Sequence, residues 1–305
     1  MYTVNELQGD QGVEQILVKA EVIAKGNLSY SYRIISGKGT LNQVDDYAIL
    51  ESVESKSVVI ELVVKGKKSI TDRKTVRYSK RAINKEKIYL EKKDWELAIG
   101  KRAVGRDAYL FQERDLKLPN VLIIGNSISI GYTPFVQKEL KGKANVYRIP
   151  ENGGDINRGL KKFDFWMGDN QWDVIHFNFG LHDMKRLINN KLDIKGDRVN
   201  TEEEYKNKLE KFVELLQTKT KAKLIWATIS VVPDGADGRI KGEEVIYNKI
   251  ALEIMKKNNI AIDDQYTLTD DNPSDQKPRD VHFLPKGCER QGKQVAKSIM
   301  SMLAE

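Results

Sequence analysis

Two changes of periodicity predict a small all-β sandwich unit followed by a three-layer α/β/α domain on a doubly wound parallel sheet. From about Gly12 to Ser79 the chain runs in short strand-like stretches without helical spacing. From Pro119 onward, short aliphatic runs alternate with amphipathic stretches at helical spacing. Several short strands broken by Gly and Asn indicate an antiparallel sandwich. Strands alternating with crossover helices indicate a parallel sheet covered on both faces.

In the first part, over residues 1–82, Gln15–Ala24, Leu28–Ile35, Ser57–Val64 and Arg73–Tyr78 are the expected strands. Residues 83–118 are charged and irregular but carry Tyr89, Trp95, Tyr109 and Phe111, which a free linker would rarely hold; they are expected to form a connector packed against one or both domains. Over residues 119–305 the expected strands are Val121–Ile124, Asn145–Ile149, Val174–Asn178, Lys223–Ile229 and Ile260–Ile262. Helices are clearest at Glu202–Gln217, Glu243–Lys257 and Gln291–Leu303, and Thr201 with Glu204 forms a capping box for the first of these.

Composition narrows the classes. Of 305 residues, 40% are hydrophobic and 31% charged, as in ordinary globular proteins. No apolar run reaches the roughly 18 residues of a membrane span, and the N-terminal MYTVNELQGDQG lacks the basic-then-apolar pattern of a signal peptide. The one cysteine, Cys288, excludes an intrachain disulfide and a cysteine metal cluster, and its place at a helix start suits packing. The formal charge of +7 comes from lysines scattered among Asp and Glu without a nucleic-acid motif. A solvated basic surface is therefore expected rather than a nucleic-acid partner, with an acidic polysaccharide left open.

The chemistry is concentrated at expected strand ends. In NVLIIGNSISIGY an apolar strand stops at Gly125-Asn126-Ser127, which puts a hydroxyl at the carboxyl edge of the sheet, where open α/β sheets keep their sites. A serine hydroxyl needs a base, usually an imidazole oriented by a carboxylate, and donors for the oxyanion. All three histidines lie downstream. Gly153-Gly154 follows the second strand, FNFGLHD (Phe177–Asp183) follows the third, and Asp280-Val281-His282 precedes the last helix. His176, inside the third strand, is expected to be a buried structural histidine, and Asp183 to stabilise its loop.

In order and spacing these blocks resemble the SGNH (GDSL-type) hydrolase family, from Asn120 to the end of the chain. The resemblance implies a flavodoxin-like fold and a serine esterase without metal or cofactor. It implies Ser127 as nucleophile and oxyanion donor, Gly154 as a backbone donor and His282 as general base, with Asp280 its carboxylate partner. TISVVPDG and YNKIALEIMKKNNIAIDD are similar to the family's carbohydrate-esterase branches, which implies an acylated carbohydrate substrate. The first part resembles, in layout only, immunoglobulin-like or PKD-like modules of secreted enzymes, which favours a secreted or periplasmic protein.

The chain departs from the family pattern at three places. Asn126 stands for the usual Asp beside the serine. His182 stands for the usual Asn of the third block, so the third oxyanion donor is either His182 or Asn178. Asp280 is two residues before His282 rather than three, a place held by Arg279. The loops Met184–Asn200 and Val231–Gly242 are expected to border the pocket; their polar character suits a sugar with a short acyl group. Alternatives are a lipase or thioesterase of the same fold, and a glycan-binding protein whose hydrolase domain has lost activity.

Overall fold

The computed structural model describes residues 2–8, 14–20, 28–44, 47–51, 57–65, 69–77, 86–99 and 103–304. The chain forms two compact units, Met1–Ala82 and Ile83–Glu305.

The first unit contains seven strands: β1 (Tyr2–Gln8), β2 (Glu14–Ala20), β3 (Ser29–Ser36), β4 (Thr40–Val44), β5 (Tyr47–Glu51), β6 (Ser57–Lys65) and β7 (Ser69–Arg77). They form two antiparallel sheets, ordered β1-β2-β5-β4 and β3-β6-β7. Alternation along β6 buries Val58, Ile60, Leu62 and Val64, which cluster with Tyr32 of β3 and with Ala48 and Leu50 of β5. One apolar cluster thus joins the two sheets. The expected strand ends at residues 21–24 and at Tyr78 lie outside the described residues.

The second unit opens with α1 (Lys92–Ile99). Ile88, Tyr89, Trp95, Ala108 and Tyr109, all from the segment expected as a connector, belong to this unit's core. Tyr89 donates its hydroxyl to Trp166 O at 2.6 Å and Trp95 its indole N–H to Tyr109 O at 2.7 Å, so the polar atoms of these buried rings are satisfied.

The α/β framework follows as β8 (Asn120–Ile124), α2 (Ser127–Glu139), β9 (Asn145–Arg148), α3 (Ile156–Met167) and β10 (Val174–Phe177). A small antiparallel sheet of β11 (Arg186–Ile188), β12 (Lys191–Leu192) and β13 (Asp197–Arg198) interrupts it. The framework then resumes with α4 (Glu202–Lys219), β14 (Lys223–Ala227), α5 (Glu243–Lys257), β15 (Ala261–Asp263), α6 (Gln265–Asp270) and α7 (Pro285–Ala304). Five parallel strands lie in the order β15-β14-β10-β8-β9, which places the switch of direction between β8 and β10.

Because strand side chains alternate, each inner strand feeds two layers. Leu122, Ile124, Ile175 and Phe177 face a core completed by Phe163, Trp166, Phe212 and Tyr247 from α3, α4 and α5. Val121, Ile123 and Val174 face Tyr132, Val136, Val295 and Ile299 from α2 and α7. Both faces of the sheet are apolar, as a covered parallel sheet requires. At α4 both bonds of the Thr201–Glu204 capping box are present. The last helix starts at Pro285, three residues before Cys288, and takes in the amphipathic Gln291–Leu303 stretch, since proline suits the first helical turn. No helix among the described residues is long and apolar enough to cross a membrane.

Phe212 carries the α4 side of this core, with ring centroids 5.0 to 6.1 Å from Phe163, Phe177 and Phe179. Phe212→Ala is expected to lower unfolding free energy by about 3–5 kcal/mol, measured by urea denaturation followed by tryptophan fluorescence. A loss under about 1 kcal/mol would show that this packing is not needed.

Candidate active site

The register brings β8, β10 and β14 to a common end, with Ile124, Phe177 and Trp226 side by side. The residues that follow them therefore share one edge. After Ile124 the chain turns through Gly125, and buried Asn126 caps α2, its Oδ1 accepting from Ile128 N at 2.9 Å. Ser127 is the first residue of the helix, so its amide belongs to the first turn, where N–H groups have no intrahelical acceptor.

The Ser127 hydroxyl lies 2.8 Å from His282 Nε2. On the other side of the ring, His282 Nδ1 is 2.6 Å from Asp280 Oδ1, and the same oxygen accepts the His282 backbone N–H at 3.0 Å. A carboxylate at Nδ1 keeps the proton there and leaves Nε2 to accept from the serine. Burial works against the Asp280 charge, but the hydrogen bonds from the His282 amide and ring outweigh it and hold the carboxyl below its ordinary range. The two-residue spacing thus still places a carboxylate on the imidazole. Arg279, just before it, adopts a left-handed backbone with φ of 57°.

The second block is tied to the first through its glycines. Gly153 donates its N–H to Gly125 O at 3.0 Å, and a Cβ at this position would stand 2.8 Å from the same oxygen, so only glycine fits. Gly154 has φ of 61°, and its N–H donates to Asn152 Oδ1 at 2.9 Å. Asp155 caps α3, accepting from the amides of Asn157 and Arg158.

The two alternatives for the third donor are placed differently. Asn178 donates through Nδ2 to Ala227 O at 2.7 Å, while its Oδ1 accepts from Asn126 Nδ2 at 3.4 Å. Both ends of its amide are engaged in bridging strand ends. His182 accepts from Lys185 Nζ at Nδ1, at 3.4 Å, which leaves Nε2–H as its donor. Burial, followed by the charges of Lys185, Arg239, His282 and Arg158, pushes its pKa down to about 3, so the ring is neutral.

The remaining expectations also have locations. His176 is fully buried on the α2/α7 face of the sheet, with Nε2 2.9 Å from Asp263 Oδ2. Asp183 is buried and joins its loop to α3, its Oδ1 accepting from Ile156 N at 3.0 Å and from Asn200 Nδ2 at 2.7 Å. Cys288 is partly buried against Gly131, where a Cβ would meet its Sγ at 2.9 Å. The loops expected to be polar also carry exposed aliphatics: Ile188, Leu192, Ile194 and Ile240.

Arg148 is a residue that sequence reasoning passed over. Fully buried in β9, it donates to Ile149 O and Glu151 O, and its other terminal nitrogen reaches Ser129 Oγ at 3.3 Å and Gly125 O at 3.5 Å. Its guanidinium lies 4.6 Å from the Tyr109 ring centroid. The signal was an arginine inside an otherwise apolar strand, NVYRIP.

No protein-family model and no curated sequence matches the chain. Solved structures do. One is assigned as an acylhydrolase, from Bacteroides fragilis: 17% identical, covering 68% of this chain and 99% of its own, with a TM-score of 0.51. Another is a catalytic mutant of an acetylxylan esterase from Geobacillus stearothermophilus: 14% identical, covering 59% of this chain and 94% of its own, with a TM-score of 0.50.

Asp183 gives a pH test of the site's architecture. Burial raises its pKa from 3.8 to about 7, against the hydrogen bond from Ile156. An acid that holds its proton more tightly when folded releases it on unfolding, so stability falls as pH rises from about 4 to about 7. Urea titrations at pH 5 and pH 8 are expected to show about 2 kcal/mol less stability at the higher pH. Asp183→Asn, which keeps the accepting oxygen, should flatten that difference; an unchanged slope would show that Asp183 is not its source. With these contacts in place, the second unit shares the fold of solved acylhydrolases and acetylxylan esterases.

Proposed function

We propose that the second unit is a serine esterase that removes short acyl groups, O-acetyl foremost, from a carbohydrate through an acyl-enzyme. The observation that carries this reading is the line Ser127 Oγ, His282, Asp280, with contacts of 2.8 and 2.6 Å. Ester-hydrolase neighbours of the same fold, among them an acetylxylan esterase, support it.

Ser127 Oγ attacks the ester carbonyl as His282 Nε2 takes its proton, and Asp280 holds the imidazolium that forms. The oxyanion is met by the Ser127 N–H at the start of α2, where the helix dipole adds to the effect. The second donor is the Gly154 N–H, which exchanges Asn152 Oδ1 for the oxyanion. His182 Nε2–H is the third, since the Asn178 amide is held by Ala227. His282 then returns the proton to the departing sugar hydroxyl. In the second half it activates water, which releases the acid and restores Ser127.

The exposed Ile188, Leu192, Ile194 and Ile240 favour a second reading, a lipase or thioesterase with a longer acyl chain laid on these loops. Acetyl and octanoyl p-nitrophenyl esters separate the two: kcat/KM is expected to favour acetyl, and a preference for octanoyl would sink the carbohydrate reading.

Ser127→Ala is expected to abolish turnover of p-nitrophenyl acetate while leaving the far-ultraviolet circular dichroism unchanged; intact activity would reject the mechanism, and inactivity of the parent chain would favour a binding protein. His282→Ala should lower kcat by several orders of magnitude. His182→Ala is expected to lower kcat about 10²–10³-fold, the loss typical of one oxyanion donor, and a drop below about threefold would remove it from that role.

A further inference from the structure

Four basic side chains frame the proposed site, each seated on one of its parts. Lys185 Nζ lies 3.4 Å from the His182 ring. Arg239, almost fully buried, donates through Nε to Leu181 O at 2.9 Å, one residue before His182. Arg158 lies along Gly154, its Cδ 3.2 Å from where a Cβ there would stand. Arg279, next to Asp280, packs on Gly235, with its Nε 3.0 Å from the corresponding position.

Of these, Arg158 is ion-paired with Glu151. Among the described residues, Lys185, Arg239 and Arg279 have no carboxylate in ion-pair contact. The nearby acids are committed elsewhere. Asp280 holds His282, Asp155 caps α3, and Asp183 binds Ile156 and Asn200. Asp280 and then Asp237 lie close enough for Arg239 to sense their charges, and Asp155 and Asp183 for Lys185, but burial still dominates at both cations and lowers their pKa.

Arg279 is exposed, but Lys185 and Arg239 are drawn out of water, and holding a cation there without a carboxylate in contact is costly unless something else supplies the anion. A transient oxyanion supplies a single charge during turnover, fewer than the unpaired cations gathered here.

We propose that the substrate is an acylated sugar carrying its own negative charge, a uronate-type carboxylate that sits at Lys185 with Arg239 behind it. This rests on the esterase reading above and names its substrate class. The Lys185 ammonium is the half-buried head that reaches the site, so it makes the charge-assisted contact. The formal charge of +7 adds long-range attraction for a polyanion.

The test compares kcat/KM of the full chain on acetylated polygalacturonate and on acetylated xylan at equal acetyl content. The anionic polymer is expected to be preferred about tenfold or more at low salt, with the preference shrinking by about 0.5 M NaCl, where screening is nearly complete. Lys185 touches His182, so Lys185→Gln lowers turnover on both polymers, and the readout is the ratio between them. That ratio should fall toward one in Lys185→Gln and be largely kept in Lys185→Arg. Equal kcat/KM on the two polymers, or a ratio that Lys185→Gln leaves unchanged, overturns the proposal. Uncharged p-nitrophenyl acetate separates the two levels. Ser127-dependent turnover there, without an anionic preference, rejects only the charged substrate, whereas no turnover on any ester rejects the esterase reading as well.

Discussion

The close approach of two backbones at Gly125 and Gly153 holds together the two turns on which the proposed chemistry depends. The Gly153 N–H lies on Gly125 O at 3.0 Å with no space for a Cβ between them, and the buried Arg148 guanidinium reaches the same carbonyl. Through this contact the turn that carries Ser127 and the turn that carries Gly154 become one rigid piece. Donors for an oxyanion act best when their positions are held before the reaction begins, and here the backbone and a buried cation hold the two turns in place, so that only the Asn152 side chain has to leave the Gly154 amide. Arg148 also ties Ile149 and Glu151 to the elbow, so the loop leading into the second block has little freedom.

In the proposed mechanism, Asn126 determines which side chain is left to face the oxyanion. A carboxylate at this position would only accept, but the amide both caps α2 and donates to Asn178 Oδ1. That donation turns the other end of Asn178 toward Ala227 O, away from the edge where Ser127 and His282 meet. The proposed mechanism therefore gives that role to the next polar residue on the loop, His182. Two departures from the family pattern, Asn126 and His182, are in this view one linked change.

Much of this was legible in the sequence because the framework is made of strongly periodic elements. Apolar runs located the five parallel strands to within two residues, and Thr201 with Glu204 marked a helix start that the structure reproduces; in the first unit β7 begins four residues before the expected Arg73, and β1, β4 and β5 were not foreseen. Ser127, His282 and Asp280 stood at strand and helix ends, where chain order alone suggests a shared edge. The sheet of β11, β12 and β13 was not legible, since strands of two or three residues are too short to show alternation. Nor was the Asn152 side chain on the Gly154 amide, which depends on a left-handed backbone at a single residue. Arg148 looked like a polar interruption of a strand, and only the fold shows the carbonyls it serves. The aromatics at Tyr89, Trp95 and Tyr109 signalled packing, but not that they would build the core beneath β9.

The proposed mechanism gives its two imidazoles opposite partners. Asp280 sits on His282 Nδ1, which fixes the proton on that side and makes Nε2 an acceptor for the serine. Lys185 sits on His182 Nδ1, which fixes a lone pair on that side and makes Nε2 a donor. A neutral ring suits the second task. An imidazolium buried among Lys185, Arg239 and Arg158 would be repelled by all three, and burial with those charges accordingly holds the His182 pKa near 3. The neutral ring still passes on part of the ammonium's field, because a donor polarised from behind by a cation binds a developing negative charge more strongly. Acid and base roles that would otherwise compete for the same kind of side chain are thus separated by the sign of one neighbouring charge.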